Sequence, residues 1–155
     1  MSIGETIVVV LHVVGAVFIV GPMAILPMTA MRAIRGGQPR MVRVLASSTN
    51  IFSLLSLVVV IFGFAALGLS DPKYHTSIAS TWIWLSLVFY VVALGLTLFV
   101  VVPAMRRAAD NIEAEDPAAK AESPAKSGGY GAIAGASGVS SLLLLAVVVL
   151  MVWKP

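Results

Sequence analysis

The sequence predicts an all-α fold, a four-helix bundle embedded in a membrane. Hydrophobic residues make up 59% of the 155 residues and charged residues only 11%, which is not the balance of a soluble domain. The apolar residues also lie in long blocks, and a helix needs about 20 of them to cross a hydrocarbon core of roughly 30 Å. We therefore expect a single transmembrane domain over residues 1–155.

Four blocks are long enough to span the membrane. Their expected bounds are residues 6–31, 44–69, 78–105 and 130–153, each flanked by charged residues, proline or glycine. The first block is expected to be retained and not cleaved as a secretion signal, because the preceding "MSIGET" holds an acid and no Lys or Arg.

The connections indicate which spans are neighbours. The loops "RGGQPR" and "SDPKYHT" are short, so spans one and two, and then spans two and three, should pack as antiparallel pairs. The third connection, residues 106–129, is longer. Its start, "RRAADNIEAED", is typical of a helical extension of span three, and its remainder is poor in large apolar residues, which predicts a mobile cytoplasmic loop.

The basic residues predict the orientation. They cluster in the first and third connections, so the positive-inside rule places these connections in the cytoplasm and both termini on the outer, periplasmic side. Trp82, Trp84 and Trp153 lie at the predicted outer ends of their spans, where indole rings favour the interface. We expect a multi-pass protein of the bacterial inner membrane.

The arginines of the first connection suggest a second role. Arg32, Arg35, Arg40 and Arg43 are predicted to contact the head groups of anionic phospholipids, each charge contributing about 1 kcal/mol near the surface. Nucleic acid is not an expected partner, because the basic residues flank membrane spans and carry no interleaved aromatic residues.

Catalytic and metal-binding patterns are absent from the sequence. There is no cysteine, no credible serine or cysteine triad, no phosphate-binding loop and no cluster of metal ligands. The prediction is therefore a protein that is not an enzyme, with no catalytic residues, no metal and no cofactor of its own.

His12 is the one ionisable residue expected inside a span, and two interpretations of it stay open. It could be a structural histidine bonded to a neighbouring helix, with Glu5 seven positions before it on the same face. Alternatively it could bind a cofactor, either haem b or a quinone, and His75 in the outer loop would be a conceivable second haem ligand.

Small and polar residues indicate packing between helices. The stretch "ASSTN" near the start of span two is typical of interhelical hydrogen bonding. In span four, small residues recur on one side over the first half of the helix, which predicts that this side contacts protein and not lipid. The predicted contact residues are Gly128, Gly131, Ala132, Gly135 and Ala136.

Two segments carry a family resemblance. Span one, "LHVVGAVFIVGPMAILPMTAMR", and span two, "ASSTNIFSLLSLVVVIFGFAALG", are similar to a family of small bacterial four-span membrane proteins of unknown biochemical function. In size, span count and third connection the chain also resembles accessory factors of the respiratory cytochrome bc–cytochrome oxidase supercomplex. The second resemblance implies a lipid-embedded subunit without a redox centre.

Together these observations predict a non-catalytic accessory or assembly subunit of a larger membrane complex, with other integral membrane subunits of a respiratory complex as partners. The alternative is a b-type haem or quinone redox protein that uses His12. A small transporter is the third hypothesis, disfavoured because no buried acid or base beyond His12 is available to couple an ion.

Overall fold

The computed structural model describes residues 2–69, 80–114 and 129–153. Within them, four helices are long and apolar enough to cross a membrane, which confirms the predicted all-α, four-span architecture. These helices are span one (Ile3–Arg35), span two (Pro39–Leu69), span three (Thr81–Ala114) and span four (Tyr130–Trp153).

Spans one to three extend beyond the hydrocarbon core. Span three has 34 residues, or about 51 Å at 1.5 Å per residue, against a core of roughly 30 Å. Its last turns include residues 106–114, so the first part of the third connection is helical, as its sequence predicted. The rest of the predicted mobile loop, with Gly128, and the loop that holds His75 lie outside the described residues.

The bundle is built from two helical hairpins. Span one packs along span two, and span three packs along span four. At the end that carries Arg35, Arg43 and Arg106, here termed the arginine end, spans one and four are also in contact, as are spans two and three. Toward the opposite end, no extensive contact joins the described parts of the two hairpins. The described parts of the two hairpins are therefore joined from the arginine end to the middle of the bundle.

Small residues allow this closure. Ala30, Ala46, Ala108 and Ala109 are fully buried there, and side chains of this size let helix backbones approach closely. They belong to a buried cluster to which all four spans contribute: Ala30, Ala33, Ile34, Val42, Leu45, Ala46, Val101, Met105, Ala108, Ala109, Ile112 and Ile133. A second cluster follows toward the middle of the bundle and consists of Met23, Tyr90, Ala93 and Leu144.

The turn between spans one and two sets their close antiparallel packing. Gly37 has φ 61°, a left-handed conformation that favours glycine. The amides of Gly37 and Gln38 donate to the carbonyls of Ile34 and Ala33, both at 3.0 Å, which forms a Schellman motif. Pro39 then begins span two, where its missing N–H is not needed.

Spans one and three share an irregularity at equivalent positions. Each contains one π-helical turn, Ala16–Val20 in span one and Thr97–Val101 in span three. A proline follows each turn at the second position, Pro22 and Pro103. Because proline lacks an N–H and its ring clashes with the carbonyl four residues back, a widened turn before it relieves the clash.

The two hairpins correspond at a constant offset. The two prolines are 81 positions apart (103 − 22), and so are the two π-helical turns (97 − 16). The side chain of His12 bonds the carbonyl of Val59, and that of Ser140 bonds the carbonyl of Ala93, with 47 positions between the partners in both hairpins. These pairs are again 81 positions apart (93 − 12), but the donor side chain lies in the first span of one hairpin and in the second span of the other. The prolines and the π-helical turns are therefore what the two parallel hairpins repeat.

Candidate functional site

His12 lies in the half of span one away from the arginine end, and its ring is bonded to span two. Its Nδ1 lies 2.8 Å from the carbonyl oxygen of Val59. Since a carbonyl oxygen only accepts, Nδ1 carries the proton and donates it. In the neutral ring, Nε2 is then the nitrogen that can accept a hydrogen bond or coordinate a metal.

Two glycines make room for this contact. A Cβ atom at Gly63 would lie 2.9 Å from Cε1 of His12 and 3.2 Å from its Nδ1, and a Cβ atom at Gly15 would lie 2.9 Å from Cγ2 of Val59. A side chain at either position would force the neighbouring side chain, Val59 for Gly15 and His12 for Gly63, to shift. The hydrogen bond to a neighbouring helix, one of the two interpretations of His12, is therefore present.

Glu5 caps the start of span one. Its Oε2 accepts a hydrogen bond from the amide of Ser2 at 3.2 Å, while Oγ of Ser2 accepts one from the amide of Glu5 at 3.1 Å. This reciprocal pair is a capping box, which satisfies amides that the first helical turn leaves free. The residue is 9% exposed, so the carboxylate at this end of the bundle has a structural role.

A row of buried hydroxyls lies along span two. Of the polar residues in "ASSTN", only Thr49 is fully buried, and Ser53 and Ser56 continue its face at the next two turns. Oγ1 of Thr49 donates to the carbonyl of Leu45 at 2.8 Å, and Oγ of Ser53 donates to the carbonyl of Thr49 at 2.7 Å. The sequence interpretation missed Ser53 and Ser56, although their spacing at i+4 and i+7 from Thr49 is a helical signal.

The row ends in a side-chain contact between the hairpins. Oγ of Ser56 lies 2.6 Å from the hydroxyl of Tyr90 on span three, in a buried position. The serine donates its own hydrogen to the carbonyl of Ser53 at 2.6 Å, so Tyr90 is the donor to Ser56. This pair links spans two and three near the middle of the membrane.

A corresponding cluster links spans three and four. Oγ of Ser140 and Oγ1 of Thr97 both donate to the carbonyl of Ala93, each at 2.8 Å. Closer to the start of span three, Ser86 is 1% exposed and its hydroxyl has no hydrogen-bond partner among the described residues. The interior is thus lined by hydroxyl groups, and no Asp, Glu, Lys or Arg is buried between the ends of the described spans.

Three of the small residues of span four are not covered by any described residue. Gly131, Ala132 and Gly135 are exposed, and a Cβ atom at either glycine would meet no atom within 4 Å. Ala136 is half-buried and packs against the arginine-end core. We call the exposed part, Gly131, Ala132 and Gly135, the span-four notch. No described residue of the chain fills this notch.

Arg35 has a partner on span four. Its guanidinium lies over the ring of Tyr130, with Cζ 5.1 Å from the ring centroid, and also donates to the Tyr130 hydroxyl. This combination of cation–π contact and hydrogen bond joins the arginine ends of spans one and four.

Arg43 has two partners on span three. Its guanidinium lies 2.8 Å from a carboxylate oxygen of Asp110 and 2.6 Å from one of Glu113. Arg32 and Arg40 are exposed and form no ion pair with a described residue. Of the four arginines predicted to contact lipid, two therefore also hold neighbouring spans together.

The site residues do not assemble into a metal centre. No group of three or more His, Asp or Glu residues within the described ranges could hold an ion. What the structure brings together is a bonded histidine, a hydroxyl-lined interior and charged residues confined to the helix ends.

These features define a multi-pass integral membrane protein, built as two hairpins of apolar helices. The model of a family described as "Predicted integral membrane protein (DUF2269)" matches residues 6–155. The chain belongs to this family, which confirms the expected relationship to small four-span membrane proteins. No curated protein and no solved structure matches the chain.

Proposed function

We propose that this protein is a non-catalytic accessory subunit that packs against other integral membrane subunits of a larger complex in the bacterial inner membrane. The observation that supports this most directly is the span-four notch, a smooth strip of the membrane-facing surface where the chain leaves Gly131, Ala132 and Gly135 open. In lipid, helices associate through close packing, and glycine and alanine permit the closest approach of two backbones.

The contrast within span four supports a contact confined to one half of the helix. Away from the arginine end, the same span exposes large side chains, with Leu142 68% and Leu145 60% exposed. Large apolar side chains pack well against the acyl chains of lipid. A surface of small residues leaves a gap that a second helix fills more completely than acyl chains do. A partner helix crossing span four at the notch would place its own backbone against Gly131 and Gly135.

The proposed setting is a respiratory complex, with the cytochrome bc–cytochrome oxidase supercomplex as the specific assembly. It rests on the resemblance in size and span count to accessory factors of that assembly. In the proposed orientation both termini are periplasmic, and the arginine end faces the cytoplasm and its anionic lipids.

Affinity purification from gently solubilised membranes tests this function. Tagged wild-type chain should retain respiratory subunits, and Gly135→Leu should lose them because its side chain fills the notch. Gly68→Leu is the matched control, since Gly68 is also exposed and has open space at its Cβ position. Recovery of the wild-type chain only as a free monomer or homo-oligomer would refute the proposal.

A second candidate function, a haem-binding redox protein, is favoured by one observation. With Nδ1 of His12 donating to Val59, the ring is held by a carbonyl and Nε2 is the nitrogen suited to coordinate iron. A Soret band in the purified wild-type protein that disappears in His12→Ala would support this function. A colourless, fully folded preparation from haem-replete cells would exclude it.

A further inference from the structure

A cavity of about 250 Å³ opens between spans two and three at the arginine end. Its lining consists of Arg43, Ser47, Arg106 and Asp110. Arg43 and Ser47 are one turn apart on span two, and so are Arg106 and Asp110 on span three. Because the two helices are antiparallel, Arg43 faces Asp110 at one level and Ser47 faces Arg106 at the next level, closer to the membrane centre.

At the level of Arg43, the positive charge of the guanidinium is already neutralised by carboxylates. The Arg43 guanidinium lies 2.8 Å from Asp110 and 2.6 Å from Glu113, so two carboxylates surround one cation. An anion entering the cavity would be repelled by these carboxylates and would find no free charge at this level. The Arg43 level therefore offers no net positive charge to an anion.

At the level of Arg106, the guanidinium is available to bind an anion. Arg106 forms no ion pair, and the hydroxyl of Ser47 no hydrogen bond, with any residue of the described ranges. A guanidinium and a hydroxyl that line one cavity are a suitable pair for the oxygens of a phosphate group, which accepts charge-assisted hydrogen bonds.

From Ser47 and Arg106 toward the membrane centre, the surface of spans two and three becomes apolar. Ile51 and Leu54 lie at i+4 and i+7 from Ser47 and are 56% and 50% exposed. Phe99 lies seven positions before Arg106 on span three and is 81% exposed. A ligand with a phosphate at the cavity and hydrocarbon chains directed to the membrane centre would contact both surfaces.

We propose that this cavity binds the phosphate group of a membrane glycerophospholipid. Arg106 and Ser47 hold the phosphate oxygens, and the acyl chains lie along Ile51, Leu54 and Phe99. Free inorganic phosphate shares the head-group chemistry but lacks the chains. Arg106 is not among the four arginines that the sequence predicted to contact lipid, and Arg43, which is one of them, lines the cavity but is paired with Asp110 and Glu113. The site does not depend on the accessory-subunit function.

Native mass spectrometry of the purified full chain, delipidated and titrated with phosphatidylglycerol, tests the site. Arg106→Gln should weaken lipid binding about tenfold, the loss expected for one charge-assisted contact. Arg107→Gln is the charge-matched control, because its neighbouring guanidinium is exposed and does not line the cavity. Equal lipid affinities of the two variants would overturn the proposal.

Two further measurements separate the lipid from other anions. Ser47→Leu fills the cavity without changing the charge, so it should also weaken lipid binding while the helical circular dichroism stays at the wild-type level. Unchanged lipid binding in Ser47→Leu would contradict the site. Inorganic phosphate at equal concentration should not displace the lipid, because it lacks the chain contacts, and displacement would overturn the assignment to a phospholipid.

Discussion

His12 of span one donates its Nδ1–H to the main-chain carbonyl of Val59 on span two, across a distance of 2.8 Å. The ring occupies the space that a side chain at Gly63 would need. The hydrogen bond and the missing side chain are therefore two parts of one contact, and the contact holds the first hairpin together in the half of the bundle where the two hairpins diverge.

Gly63→Ala is expected to destabilise the protein by about 1–3 kcal/mol, the typical cost of overpacking. Its Cβ atom would lie 2.9 Å from Cε1 of His12, and the ring can move only by giving up its bond to Val59. The measurement is the free energy of unfolding in mixed micelles. Gly68→Ala, where the Cβ atom meets open space, should leave stability unchanged or slightly raised.

A double variant, His12→Ala with Gly63→Ala, tests whether the His12 ring is the group that clashes. In a His12→Ala background the clash partner is gone, so Gly63→Ala should cost little. If the two losses of stability simply add, the ring is not what limits the residue size at Gly63, and the proposed contact is wrong.

Tyr90→Phe removes the hydrogen that the tyrosine donates to Ser56. The expected loss of stability is about 0.6 kcal/mol and not more than about 1.7 kcal/mol, the range of hydrogen bonds between helices in membranes. Ser56→Ala should cost a similar amount, and the double variant no more than either single one. A coupling free energy near zero would show that the two hydroxyls do not interact.

Gly135→Leu should leave the thermal stability of the isolated chain within about 0.5 kcal/mol of wild type, as for surface substitutions. The reason is the open space at the glycine. Ile133→Ala, two positions away but fully buried, should instead cost about 2–5 kcal/mol. A large loss in Gly135→Leu would mean that the notch belongs to the chain's own core and not to an interface.

Arg43→Gln should reduce stability by less than about 1 kcal/mol, even though it removes two ion pairs. The side chains of Arg43 and Asp110 are 49% and 65% exposed, so water and salt screen their attraction. Denaturation at low and at high ionic strength is the measurement, and the small effect should shrink further in high salt. A loss that is larger than this and independent of salt would contradict an exposed ion pair.

Much of the fold could be predicted because the membrane imposes it. A hydrocarbon core admits only long apolar helices or closed β-barrels, and the apolar blocks of this sequence have helix length. The number of helices therefore followed from the sequence, and the predicted bounds of span four agreed with the helix Tyr130–Trp153. The helical extension of span three was predicted from the favourable i, i+4 spacing of Arg106 and Asp110, in the stretch 106–114 that continues the helix beyond the apolar block.

The candidate sites were predicted less well, and span four shows why. Its small residues predicted a contact with protein, but the described part of the chain does not supply that contact at Gly131 and Gly135, whereas a Cβ atom would lie within 3.0 Å of a neighbouring side chain at Gly15 and Gly63. A glycine looks the same in the sequence of a membrane helix whether it faces a neighbouring helix, lipid or another protein. The sequence therefore does not show which of the three it contacts. The 81-residue correspondence of the hairpins was equally hidden, because the π-helical turns and the prolines after them repeat there while few other side chains do.

By itself the sequence determined that the chain has four spans, which residues belong to them and which ends carry the charges. Only the tertiary structure decided how each helix is rotated about its own axis, and thus that His12 bonds Val59, that Tyr90 bonds Ser56 and that Gly135 faces outward. The physical reason is that lipid tails are as apolar as a protein core, so burial within the membrane leaves little hydrophobic periodicity from which a helix face could be identified.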